Sequence, residues 1–283
     1  MVGQIWDGGD VAHELLEHVR REVIRLQHEG RPPPTLAEIW VGEVPSDRRV
    51  QLLHAEACRK VGVSHQVYAF PSCCTHQAVL QTLADLSADA TISGIAIDAQ
   101  PGTSMRELTL AIAPQKDVDG LHPLHLGRLV TNKRVWLYPR GGDIVQLLKR
   151  AGLTLTGMHV ICIGNGSGVG GIMAFLCLHE NATVSAWKNT SRWPTHLLHR
   201  GDVLILDSDD LPALDAAALK PGVVVVDARS RPDEWMLHQA KRVPEAVSLL
   251  MPLPGGIGPT TIARRLVSLV ALYRISDVAS LDS

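Results

Sequence analysis

The sequence predicts an α/β protein of two lobes, each a mostly parallel sheet covered by helices, meeting near residue 140. Three observations carry this. Short apolar runs of strand type alternate with stretches of helical periodicity along the whole chain. Val223-Val-Val-Val226 is continuously apolar, as suits a strand buried on both faces. Finally, Val160-Ile-Cys-Ile-Gly-Asn-Gly-Ser-Gly-Val-Gly-Gly171 passes from an apolar strand through a glycine cluster into the helix-like run Ile172-Met-Ala-Phe-Leu-Cys-Leu178. Backbone N–H groups freed of Cβ atoms at a helix N-terminus suit a phosphate. Gly166, Gly168 and Gly171 fit G-x-G-x-x-G, but so dense a cluster satisfies several registers. The next strand, Thr183 to Trp187, leads into Lys188, where the dinucleotide fingerprint calls for an acid. A tight strand-to-helix turn that binds nothing would use the same residues.

The elements follow in order. Asp10 caps a helix with Val11, Leu15, Val19, Val23 and Leu26 at helical spacing, and Gly30 ends it. Arg31-Pro-Pro-Pro34 is a stiff connector to a strand at Leu36–Val41, and a second helix runs from about Asp47 to Val61, closed by Gly62. A strand (Gln66–Phe70), a helix (about Gln77–Leu86), a strand (Ile92–Ile97) and a helix (about Ser104–Ile112) lead to the loop Lys116–Pro123. The second half repeats the rhythm, with a helix at Ile144–Ala151 and strands at 160–163, 183–187, 203–206 and 223–226. The loop Pro252–Thr261 opens the last helix, Ile262–Tyr273, which is expected to return to the first lobe.

Composition excludes several classes of function. The chain has 283 residues, 46% apolar and 20% charged, with net charge −2, so nothing electrostatic favours nucleic acid. No apolar run reaches the roughly 18 residues of a membrane span, and Met-Val-Gly-Gln-Ile-Trp-Asp lacks the basic and apolar regions of a secretory leader. Five cysteines without C-x-x-C or Cys/His ligand spacing indicate a reduced cytoplasmic protein with no structural metal. His122 and His125 form H-x-x-H without a further ligand and are read as structural.

Several segments, in order and spacing, resemble the bifunctional methylenetetrahydrofolate dehydrogenase/methenyltetrahydrofolate cyclohydrolase family. They are Ile5-Trp-Asp-Gly8, Val41-Gly-Glu-Val-Pro-Ser46 with Ala57-Cys-Arg-Lys-Val-Gly62, Lys116-Asp-Val-Asp-Gly-Leu-His-Pro123 with Gly127-Arg-Leu129, and Asn181-Ala-Thr-Val184. The most specific are the Lys116 loop and Pro252-Leu-Pro-Gly-Gly-Ile-Gly-Pro-Thr-Thr261. The resemblance implies an N-terminal α/β folate lobe (1–139 plus 262–283), a C-terminal Rossmann-like doubly wound lobe (140–261) and a folate cleft between them. It also implies a homodimer, pterin contacts from Asp119, Pro254, Gly255 and Gly256, and nicotinamide contacts from Gly164, Gly166, Ser167 and Gly168. Without the family, Asp117-Val-Asp119 reads as an Asx turn closed by Gly120.

The chain departs from the family at positions that carry chemistry. The family's tyrosine and catalytic lysine, one helical turn apart, align with Val50 and His54, and its Gln-Leu-Pro segment is Asp98-Ala-Gln100. Val50 cannot donate a hydrogen bond, and imidazole is shorter than lysine and mostly neutral at pH 7. His54, with Asp98 orienting it, would form a general acid/base pair lined by Val50; alternatively both are solvated surface groups. In the second lobe Gly166 replaces a serine, Ile172 a proline and Arg229 a glycine. Asp207-Ser-Asp-Asp210 places carboxylates where they would repel a pyrophosphate. These changes predict that NAD(P) binds weakly or not at all. The expected function is therefore methylenetetrahydrofolate-dependent transfer of the one-carbon unit, as a bridge or ring closure, to a small-molecule acceptor without redox. Two alternatives stay open: an ordinary NAD(P)-dependent dehydrogenase/cyclohydrolase, and a non-catalytic folate-binding protein.

Overall fold

The computed structural model describes residues 4–42, 49–99, 103–131, 139–164, 169–188, 195–208, 216–228, 246–252 and 258–281. The chain divides into two compact units, one of residues 13–139 with 262–283, the other of residues 1–12 with 140–261.

The first unit is built on a three-stranded parallel sheet in the order β3-β2-β4: β2 is Thr35–Val41, β3 Ser64–Phe70 and β4 Gly94–Ala99. Because strand side chains alternate, Ala37 and Ile39 of β2 join Ile95 and Ile97 of β4 in a core with helices α3 (His76–Ala88) and α4 (Met105–Ala111). The opposite face carries Leu36 and Ala96 into a second core with α1 (Gly9–His28), α2 (Arg49–Val61) and the last helix (Gly258–Leu281). At the start of β4, a Cβ on Gly94 would stand 2.5 Å from Val118 and 2.6 Å from Leu269. Glycine there is a packing requirement. β3 and β4 are the two edge strands; β3 is exposed or half-buried throughout, whereas β4 is buried over Gly94–Ile97.

The second unit holds a six-stranded sheet, β1-β9-β8-β7-β5-β6, parallel throughout. β5 (His159–Gly164), β7 (Val203–Asp207) and β8 (Val223–Asp227) are central and buried, as the valine run requires. β6 (Thr183–Lys188) is an edge strand, followed in the chain by α8 (Thr195–Leu198); α6 (Pro139–Arg150) and α7 (Val169–His179) also belong to this unit. Two strands have no counterpart in the sequence reading: β1, only Gln4–Ile5, and β9, Val247–Met251. Their pairing corrects the expected division for residues 1–12. Gln4 and Ile5 pair with Leu249 and Leu250, and the Trp6 N–H donates to the Leu250 carbonyl, so the start of the chain groups with this sheet. Among the described residues no helix is long and apolar enough to cross a membrane.

Candidate functional site

The alternation of β2 puts Glu38 and Trp40 on the same face as Leu36, and strand register places His65 of β3 and Asp98 of β4 on that face. α2 crosses this face with the stripe His54, Ala57, Cys58 and Val61, all buried. The last helix adds Arg265 between Ile262 and Leu269, again at core-facing spacing. Glu38, His54 and Arg265 thus occupy positions where an apolar side chain is the default, and buried charge needs partners.

They partner one another. His54 Nδ1 lies 2.6 Å from Glu38 Oε1, and His65 Nε2 lies 3.1 Å from Glu38 Oε2. Arg265 donates from Nη1 to Glu38 Oε1 at 3.2 Å and to Asp98 Oδ2 at 2.6 Å, and from Nη2 to Asp98 Oδ1 at 3.1 Å. The same guanidinium reaches Asp119 through Nε–Oδ1 (2.8 Å) and Nη2–Oδ2 (3.1 Å). One cation therefore holds three carboxylates. Burial alone would raise the Glu38 carboxyl, but hydrogen bonds from His54 and His65, with the charges of His54 and Arg265, hold it well below the usual carboxylate range. Burial alone would lower Arg265, yet the charges of Asp119, Asp98 and Glu38 raise it well above its ordinary value. Glu38 is fully buried and His54 is 8% exposed, whereas the Asp98 side chain keeps 31% of its surface. The Trp40 ring packs 5.9 Å from the His54 ring, tilted by 45°.

This geometry corrects the expected His54–Asp98 pair. The carboxylate that orients His54 is Glu38, while both oxygens of Asp98 are taken by Arg265. Asp119 is buried against Arg265 and accepts from the Ile97 N–H at 3.5 Å. Val50 stands one turn before His54 on α2 but is 41% exposed. Asp117 does form an Asx turn: its Oδ1 accepts from the N–H groups of Asp119 (3.1 Å) and Gly120 (3.0 Å), and Gly120 has φ +68°. His122 Nδ1 accepts from the Leu124 N–H at the start of α5 (Pro123–Val130), and His125 Nε2 donates to the Pro114 carbonyl.

Glu38, His65 and Arg265 were missed by sequence reasoning. The signal was present: Glu38 is the one ionisable residue in Leu36-Ala-Glu-Ile-Trp-Val41, and Arg265 falls on the apolar stripe of the last helix. A charge at a core-facing position predicts a buried partner.

In the other unit, Gly164 ends β5 beside Asp207 of β7; a Cβ on Gly164 would lie 2.8 Å from the Asp207 Cβ and 2.9 Å from its carbonyl oxygen. Gly166, Ser167, Gly168, Pro254, Gly255 and Gly256, with Asp209, Asp210 and Arg229, lie outside the described residues.

The fold defines a two-domain α/β protein that joins a small parallel sheet with a buried acid–base cluster to a larger Rossmann-like sheet. Residues 6–119 match the family model of the tetrahydrofolate dehydrogenase/cyclohydrolase catalytic domain, and residues 139–276 that of its NAD(P)-binding domain. The chain belongs to the tetrahydrofolate dehydrogenase/cyclohydrolase family. It is 30% identical to the bifunctional protein FolD of Geobacillus thermodenitrificans, covering 93% of this chain and 94% of that one. Against FolD of Bacillus anthracis it is 32% identical, covering 93% of each chain. FolD from Campylobacter jejuni superposes with a TM-score of 0.83 at 26% identity, over 96% of this chain and 99% of that one. The Trypanosoma brucei enzyme, solved with NADP and an inhibitor, shares the fold with a TM-score of 0.85 at 20% identity, over 97% and 98% of the two chains.

These matches overturn the expectation of one-carbon transfer to a separate acceptor without redox. The second half of the chain is matched as an NAD(P)-binding domain despite the changes at Gly166, Ile172, Arg229 and Asp207–Asp210, and the bifunctional relatives match across both domains. The predicted loss of NAD(P) is corrected with it.

Proposed function

We propose that this chain is an NAD(P)-dependent methylenetetrahydrofolate dehydrogenase that also hydrolyses the methenyl product. The observation that carries the reading is the match, in one chain and in order, to both the catalytic and the NAD(P)-binding domain of the family. The second unit suits the cofactor: apolar β5 ends at Gly164, α7 begins at Val169, and the sequence joining them is Asn165-Gly-Ser-Gly168. Gly164 and residues 166–168 would hold the nicotinamide cofactor, which supplies the hydride acceptor.

The rest belongs to the first unit. Asp98 is the acid of the cluster with surface to offer a bound folate, and both its oxygens accept from Arg265, which leaves no lone cation in the site. Asp119, as in the family resemblance, would serve the pterin, from a position fixed by Arg265. His54 stands where the family's lysine stands and is the group able to move a proton at the one-carbon bridge.

Supplying the protein with methylenetetrahydrofolate and NAD⁺ or NADP⁺ should generate reduced nicotinamide, and methenyltetrahydrofolate should lose its absorbance faster than in buffer. His54→Ala should slow hydrolysis by about 10²–10⁴-fold. No reduced nicotinamide with either cofactor would refute the reading.

A further inference from the structure

His54 carries more information than its position. Its Nδ1 is 2.6 Å from a carboxylate oxygen that can only accept, so the proton between them belongs to the imidazole. The Glu38 carboxylate is itself fixed from two further sides, by His65 Nε2 on Oε2 and by Arg265 Nη1 on Oε1. The hydrogen bond from Nδ1 is the ring's one hydrogen bond among the described residues, and 11% of the side chain stays exposed. The Trp40 ring beside it limits how the imidazole can turn. An oxygen of Glu38, one of Asp98 and a His54 nitrogen lie within 4.8 Å of one another, a spacing that would suit a metal ion. Arg265 Nη1 already bridges Glu38 and Asp98, so a metal would have to displace a guanidinium from a buried site. The arrangement is instead that of an oriented imidazole.

We propose that Glu38 is the positioning residue of His54, accepting its Nδ1–H and so fixing the tautomer whose Nε2 is the working base in hydrolysis of the methenyl bridge. The inference rests on the functional reading above and adds to it a residue of β2, an element that carries neither His54 nor Asp98. In the step, the oxygen of water bonds to the methenyl carbon and one water proton passes to Nε2. Nε2 then returns that proton to a bridge nitrogen as the carbon–nitrogen bond breaks. The second water proton leaves to solvent as the formyl carbonyl forms, and no electrons are exchanged. A carboxylate at Nδ1 stabilises the imidazolium that exists between the two transfers, and holds the ring so that the same atom takes and gives the proton.

The test is the tautomer itself. In protein labelled with ¹⁵N-histidine, long-range proton–nitrogen correlations distinguish the two ring nitrogens, and His54→Asn identifies the signal. Once the ring has lost its second proton at high pH, His54 should remain protonated on Nδ1 and bare on Nε2. Glu38→Gln should give a mixture of tautomers and lower kcat for methenyltetrahydrofolate hydrolysis at least about tenfold, with KM changed much less; Glu38→Asp should recover part of kcat. An Nε2-protonated ring in the wild-type protein overturns the proposal, whether or not Glu38→Gln folds. So does a folded Glu38→Gln protein with unaltered tautomer and kcat. An Nδ1-protonated ring in a protein that does not hydrolyse the methenyl compound would defeat the functional reading while leaving the positioning of His54 intact.

Discussion

Arg265 is the residue on which the first unit's charge balance turns. Its guanidinium touches Glu38, Asp98 and Asp119, two of which are buried, and His54 and His65 complete the set. The net worth of such a cluster over an apolar core is small, because desolvation offsets attraction; breaking it is a different matter. Arg265→Leu leaves three carboxylates without their cation, and we expect a loss of roughly 3–5 kcal/mol of stability. Urea unfolding would read this as a lower midpoint at unchanged slope. Adding Asp98→Asn should restore part of the loss, since it removes one of the stranded charges. A single variant as stable as the wild type would mean that the carboxylates have found protons or water instead. The chain signals buried charge at Glu38 and Arg265 but not which groups pair with which. His54 and Asp98 were singled out by position, yet the partner of each was a residue more than ten positions away on another element.

At the scale of elements, periodicity made most helices and central strands legible, because their apolar faces are continuous and their ends carry Gly or Pro. Elements held by pairing alone were not. β1 is two exposed residues whose strand character exists only against β9, and α5 is a short helix that starts at Pro123, the last residue of the loop read at Lys116–Pro123. The turn between α4 and α5 is the clearest case of local chemistry deciding structure. Asp117 pairs in a parallel bridge with Ile95, and its carboxyl accepts from the N–H groups of Asp119, Gly120 and His122. Burial pushes this carboxyl from 3.8 up to about 7, outweighing the pull of those three N–H groups. With the folded value raised, the folded state holds the proton that the unfolded chain releases. The contribution to stability is therefore full below about pH 4 and is lost as pH rises to 7. The slope is at most roughly 1.4 kcal/mol per pH unit. Wild-type stability should thus fall relative to Asp117→Asn by about 2–3 kcal/mol between pH 5 and pH 7. Unfolding curves for both proteins at the two pH values decide it; a difference that does not change with pH would show Asp117 ionised throughout.

For the whole molecule, division of labour between the two units is the property that matters. The acid–base cluster lies entirely within the first, and β5 and α7 entirely within the second. Ligands should therefore report on the units separately. A ligand that binds only the folded state stabilises it by about 2.7 kcal/mol at a hundred times its dissociation constant. NADP⁺ or NAD⁺ should thus raise the unfolding temperature, and do so equally in wild type and in His54→Ala, which leaves the second unit untouched. Gly164→Val should behave in the opposite way. Its added Cβ would meet the Asp207 backbone carbonyl at 2.9 Å, a contact that no rotamer relieves, so the end of β5 must move away from β7. We expect about 1–3 kcal/mol of destabilisation from the overpacking and loss of the cofactor-induced shift, while folate still binds. A Gly164→Val protein that keeps the full cofactor shift would place the nicotinamide cofactor away from the end of β5.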